Sequence, residues 1–254
     1  MKSVFNKVAA AATLLMGVAS TANAFVVLTM TDLSTATTVT CNTFIGFCGA
    51  GFVVNNANNV NFIGTVGAFD VASTQGISNA PGNALVAFAN TTSLAVNRND
   101  GALGTKTLTV DFVVFDFFNP TSTSKTMQGS ASTTAGQGLF NAATETIFTN
   151  FRVDSNNTTS LNLGPTVSQL SCGMATSIND SCNAGSIVWS DPVLGVAGFS
   201  TRTQQAFTLE AASIVNTTSS LTIRNVPEPM TLSLVGVSLL GLAFASRRRA
   251  AAKA

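Results

Sequence analysis

The sequence predicts a mainly β protein: a β-sandwich or jelly-roll-like exported domain with an N-terminal signal peptide before it and one C-terminal transmembrane helix after it. Three observations carry this expectation. Short segments rich in valine, phenylalanine, threonine and isoleucine recur between clusters of glycine, asparagine, serine and proline. No long stretch sets apolar residues at helical spacing. An apolar run lies near each end of the chain with cations beside it. The implied division is 1–24, 25–224 and 225–254.

Residues 1–24 have the three parts of a secretory signal. Lys2 and Lys7 form the basic start, 8–18 the apolar centre, and Ala22-Asn23-Ala24 the small-x-small cleavage site read at Ala22 and Ala24. Eleven helical residues reach only about 16 Å, too short for a lasting membrane span. The mature chain is expected to begin at Phe25.

Composition then narrows the chemistry. Of 254 residues, 9% are charged and 46% hydrophobic, and serine, threonine and asparagine make up about a third. Histidine and tyrosine are absent, and glutamate occurs only at Glu145, Glu210 and Glu228. Without imidazole there is no Ser-His-Asp or Cys-His nucleophile pair, no histidine metal ligand and no imidazole proton shuttle. Between Phe25 and Pro229 six basic residues face eleven acids, a net charge of −5 that offers no basic patch for nucleic acid.

Within the exported part, strands are expected at 25–30, 52–54, 60–71, 84–96, 108–118, 147–153, 187–189 and 206–223. Residues 97–101, Asn-Arg-Asn-Asp-Gly, are expected to turn a hairpin between two neighbouring strands. In the segment 107–118 the two-residue period puts Leu108, Val110, Phe112 and Val114 on one face, and Thr107, Thr109 and Asp111 on the other. Beyond Val113 the pattern inverts, so a bulge, or burial of both faces, has to accommodate Phe115 and Phe117. Asp111 and Asp116 are expected to be solvated.

Four cysteines follow the signal: six residues lie between Cys41 and Cys48, and nine between Cys172 and Cys182. An even count in an exported chain predicts disulfides; of three possible connectivities, the local pairs close the shortest loops. Neither spacing suits a four-thiolate zinc site, and no metal or other cofactor is expected. Ser122 and Lys125 match S-x-x-K but lack its companion motifs. Gly136-Gln137-Gly138 has no strand-to-helix setting for a phosphate cradle. The glycosylation triplets at Asn90, Asn157, Asn179 and Asn216 are frequent by chance in such a composition.

The tail is the most informative segment. Residues 230–246 carry no charge and would cover about 25 Å as a helix, near the lower limit for a membrane span. Arg247, Arg248, Arg249 and Lys253 follow, so the positive-inside rule leaves the domain outside. Before the run stands Val226-Pro227-Glu228-Pro229, held extended by its two prolines. A Pro-Glu-Pro triplet, a short apolar helix and an arginine cluster, in this order at this end, resemble the PEP-CTERM sorting signal of bacterial surface proteins. The resemblance covers 226–249, about a tenth of the chain. It implies processing by exosortase, an integral-membrane cysteine protease of Gram-negative bacteria that make extracellular polysaccharide. Pro227, Glu228 and Pro229 match the recognition triplet, 230–246 the membrane stretch, and Arg247, Arg248 and Arg249 the retention cluster. Met230 stands where alanine is frequent, and 250–254 extends beyond the arginines.

The expected protein is therefore no enzyme. It is exported by the Sec machinery and signal peptidase, held in the inner membrane, then released by exosortase to the cell surface or extracellular matrix. Its expected role is structural or adhesive, in biofilm, floc or exopolysaccharide organisation. The rival expectation is a secreted glycosidase, whose two-carboxyl chemistry needs no histidine, or a carbohydrate-binding module. The available acids are Asp32, Asp70, Asp100, Asp111, Asp116, Asp154, Asp180, Asp191, Glu145 and Glu210, and Trp189 is the only tryptophan for sugar stacking.

Overall fold

The computed structural model describes residues 25–82, 86–118, 125–135, 146–155, 168–173, 181–190 and 198–225. The signal peptide, the Pro-Glu-Pro triplet, the apolar tail and the arginine cluster lie outside these residues, as do Ser122, Glu145, Asp180 and Asp191. The described residues form strands joined by turns, with no helix. In chain order the strands are β1 (Phe25–Asp32), β2 (Thr37–Asn42), β3 (Phe47–Cys48), β4 (Phe52–Asn56), β5 (Asn59–Val66), β6 (Phe69–Ser78), β7 (Val86–Arg98), β8 (Lys106–Phe117), β9 (Lys125–Ala135), β10 (Thr146–Ser155), β11 (Ser168–Gly173), β12 (Ser181–Ser190), β13 (Phe199–Leu209) and β14 (Ile214–Asn225).

They make two seven-stranded antiparallel sheets, ordered β11-β10-β13-β8-β1-β2-β3 and β12-β9-β14-β7-β6-β5-β4. One core cluster draws on both: Leu28, Val110, Phe112, Phe151 and Phe207 from the first, Val60, Phe69, Val96, Leu221 and Ile223 from the second. Two glycines let the sheets approach. A methyl group on Gly76 of β6 would overlap the Phe112 ring of β8, and one on Gly129 of β9 would lie 2.6 Å from the Phe151 ring of β10. Each phenylalanine thus fills the space that a side chain opposite would need.

Part of the interior is polar. Gln205 of β13 accepts from Ser93 Oγ (2.9 Å) and donates to Ser219 Oγ (3.1 Å), and Thr74 Oγ1 donates to Ser93 Oγ at 3.3 Å. The two bonds of Gln205 cross from one sheet to the other, and all three meet the requirement that buried polar groups find partners.

β8 shows how the inverted pattern is resolved, by a bulge and by burial of both faces together. Opposite Phe199 to Thr201 of β13 the register shifts between Phe117 and Val114, and Asp116 adopts φ 61°. Leu108, Val110, Phe112, Val114 and Phe117 join the main core, while Val113 and Phe115 form a second cluster with Phe25 and Val27.

Three expectations need correction. Residues 97–101 do not join neighbouring strands, because β7 and β8 belong to different sheets and the loop carries the chain across the sandwich. The segment 60–71 is two strands, broken at Gly67 (φ +59°), and 206–223 is also two, broken near Ala212 (φ 63°).

The registers give the sandwich two distinct ends. Phe25, the β2–β3 turn, the β4–β5 turn, Pro81, Phe118, Lys125 and Asn225 gather at one. The β1–β2 turn, Gly67, the loop 99–105 and the turn 210–213 gather at the other.

Candidate functional site

At the second end the few charged side chains act as fasteners. Asp32, at the close of β1, accepts hydrogen bonds from the Ser34 amide (2.8 Å) and hydroxyl (2.5 Å), Thr35 Oγ1 (2.8 Å) and the Ala68 amide (2.9 Å) across the sandwich. Burial alone would raise its carboxyl; the bonds from Ser34, Ala68 and Thr35 outweigh burial and lower it to about 2. A side chain on Gly67 would collide with that carboxylate.

Arg98 is fully buried. Its Nε donates to Asp100 Oδ1 (2.9 Å), Nη2 to the Ala102 carbonyl (2.7 Å) and Nη1 to the Leu209 carbonyl (3.1 Å) and to that of Gly104. Lys106 also pairs with Asp100, and hydrogen bonding from Lys106 and then Arg98 holds the Asp100 carboxyl below its usual range. Nearby, Asn99 donates to Asp70, which also accepts from Thr65 Oγ1 at 2.7 Å.

The expectation that Asp111 is solvated is corrected. On the outer face of the first sheet, Arg202 Nε donates to Asp111 Oδ1 at 2.7 Å, because the register pairs Asp111 with Gln204 and puts Arg202 two residues along β13, its diagonal neighbour on the same face. Gln204 joins this row, donating to Asp111 Oδ2 and accepting from Asn150 Nδ2, each at 3.3 Å. Asp116 is half-buried at the bulge. Among the described residues no group of three or more Cys, Asp or Glu is placed to hold a metal ion.

The outer face of the second sheet has a different chemistry. Register aligns Asn61, Gln75, Thr92, Thr218 and Ser132 in one row and Asn59, Ile77, Asn90, Ser220 and Ser130 in the next. Across β7, β14 and β9 these rows floor an open depression of about 320 Å³ lined by Asn90, Thr92, Ser130, Ser132, Thr218 and Ser220 with Ala131 and Ser219. Among the described residues these six hydroxyl and carboxamide groups make no side-chain hydrogen bond, and Asn90 Oδ1 is buried without a partner. Neighbouring strands lie about 4.8 Å apart and alternate residues about 6.8 Å apart, so the face presents a lattice of neutral donors and acceptors. The polar bias is legible in the sequence but this row is not, because β9 is rich in serine, threonine and glycine and has the local pattern of a linker.

Cys41 and Cys48 form a disulfide between directly paired residues of β2 and β3. That bond leaves only Cys172 and Cys182 to join each other. They lie on β11 and β12, in different sheets, and the side chains there, like that of Trp189, are outside the described ones. Of the glycosylation triplets, Asn90 lines the depression, and Asn216 Oδ1 accepts from the Ala95 amide (2.8 Å) at a bulge in β7.

No protein-family model and no curated protein matches the chain. Among solved structures, that of the infectious bursal disease virus Gx strain is similar over 84% of this chain, with a TM-score of 0.29 and 8% identity. The match takes in 53% of that structure, so this chain spans about half its length.

Proposed function

We propose that this chain is an exported surface or extracellular-matrix protein, sorted through a PEP-CTERM-type tail, with a structural or adhesive role in exopolysaccharide organisation. The observation that carries the reading is the composite tail: Pro227-Glu228-Pro229, an uncharged run over 230–246 and Arg247-Arg248-Arg249. A cleavable signal at the opposite end gives the same orientation independently. The disulfide between Cys41 and Cys48 supports an oxidising destination.

The open depression on the second sheet supports a neutral polysaccharide as the partner. Its unengaged hydroxyls and the Asn90 carboxamide match sugar hydroxyls in chemistry, and no charge in it calls for an ionic ligand. Cofactor and metal play no part in this role. Fractionation of cells with and without exosortase tests the sorting: the protease should shift the protein from full-length membrane form to processed surface or matrix form. Identical full-length retention in both strains would reject it.

A further inference from the structure

The strand registers put the exit of the tail and three exposed apolar side chains at the same end of the sandwich. β14 closes at Asn225, paired with Lys125 at the start of β9, on the end where β1 begins with Phe25. Five residue steps separate Asn225 from Met230, at most about 18 Å of extended chain. With 230–246 in a bilayer, this end faces the lipid surface and the Arg98 end faces away.

The residues exposed there suit that surface. The β2–β3 turn presents Phe44 and Ile45, each 66% exposed, and the residue after β8 is Phe118, 42% exposed. The turn is pinned by the Cys41–Cys48 disulfide, and the Thr43 amide donates to the Val26 carbonyl at 3.1 Å. Phe44 packs on Phe25 with ring centroids 4.7 Å apart, and Phe25 stacks on Phe115 at 4.6 Å. The apolar tip is thus a continuation of a packed aromatic column, presented without loss of further loop entropy. No charged residue occurs from 33 to 69, and Arg224, exposed beside the exit point, complements anionic headgroups.

We propose that Phe44, Ile45 and Phe118 form a membrane-resting tip, which seats in the interfacial layer of the bilayer while the C-terminal tail is anchored. The inference rests on the anchored-tail reading given above. Apolar side chains gain at the lipid interface by leaving water, and the tether keeps the effective concentration of that surface high. Docking in this pose would also hold the Pro-Glu-Pro segment at a fixed height above the bilayer.

The test uses the full chain in vesicles of phosphatidylethanolamine and phosphatidylglycerol at three to one, with Trp189→Phe as background. A single tryptophan is placed at the tip by Phe44→Trp or, as a second version, Ile45→Trp, and at the far end by Leu103→Trp. The expected result is blue-shifted emission and several-fold stronger quenching by headgroup-proximal brominated lipid at 44 and 45 than at 103. Vesicle-bound protein with position 44 as water-exposed as 103 would overturn the tip but leave the anchor standing. Blue-shifted emission at 44 without bromine quenching would mean that a second copy covers the cluster, and would also overturn it. Protein that does not float with the vesicles would overturn the anchor, and the tip with it.

Discussion

The two ends of the sandwich are fastened by different sets of groups. At the Arg98 end, turns are fixed by buried or half-buried polar groups: Asp32 gathers four hydrogen bonds, and Arg98 ties the 99–105 loop to the last carbonyl of β13. At the Phe25 end, the β2–β3 turn is closed by the Cys41–Cys48 disulfide and Phe25 stacks on Phe115, while the neutral carboxamides of Asn58 and Asn79 bond the backbone of the neighbouring loop and strand. In a chain with only 9% charged residues, both ion pairs of Asp100 sit on the loop where the chain crosses from β7 to β8, while the Arg202–Asp111 pair lies on the outer face of the first sheet. The lesson is that the same architecture tolerates either kind of clamp, but the two should respond differently to pH, reductant and substitution.

Arg98→Leu should be the most damaging change. It leaves the carbonyls of Ala102, Gly104 and Leu209 without their donor inside the protein, and a loss of about 3 kcal/mol or more is expected in urea unfolding. A loss under 1 kcal/mol would show that the loop finds other partners. Gly76→Ala probes the interior between the ends: its methyl group meets the Phe112 ring, and about 1–3 kcal/mol should be lost, recovered in part by adding Phe112→Leu.

Replacing Cys41 and Cys48 together by serine removes an eight-residue closure, worth about 2.5 kcal/mol on the chain-entropy model. The same loss should appear on adding reductant to the native chain at this pair. Asp32→Asn should cost about 1–3 kcal/mol at neutral pH and, unlike the disulfide change, should be pH-dependent. The folded Asp32 carboxyl, at about 2, sits below its ordinary 3.8. Its contribution is therefore complete above the ordinary value and is lost as pH falls through about 2. The gap between native and Asp32→Asn proteins should narrow over that window; a constant gap would contradict the clamp. The smallest effect belongs to Phe44→Ser, within about 0.5 kcal/mol, because most of that side chain is already in water.

Much of the fold was legible because β1, β8 and the chain around 84–96 alternate or concentrate apolar residues in the way strands do. The bulge in β8 was readable from the inversion after Val113, and the local Cys41–Cys48 loop from its short span. β2, β9 and β11 were missed for a common physical reason. Thr37–Asn42, Lys125–Ala135 and Ser168–Gly173 are rich in threonine, serine and glycine, and read locally as linkers. In the middle of β9, Gly129 leaves the space that the Phe151 ring of the opposite sheet fills, a complementarity invisible in either segment alone. The 97–101 turn misled for a similar reason: its residues permit a tight turn, but whether the next strand pairs or crosses over is decided by Arg98 and its distant partner Leu209. The neutral row on the second sheet was hidden because it needs five strands in register. Asp111 showed parity but not Arg202, ninety-one residues on.

The central claim is that this sandwich is cargo carried by removable ends. Intact-mass measurement of the protein recovered from the surface or matrix fraction of its native cells tests it directly. The expected species is a chain that starts at Phe25, stops short of the apolar run at 230–246 and retains the Cys41–Cys48 bond. A surface-fraction chain that still carries residues 1–24, or that still carries 230–254, would contradict it.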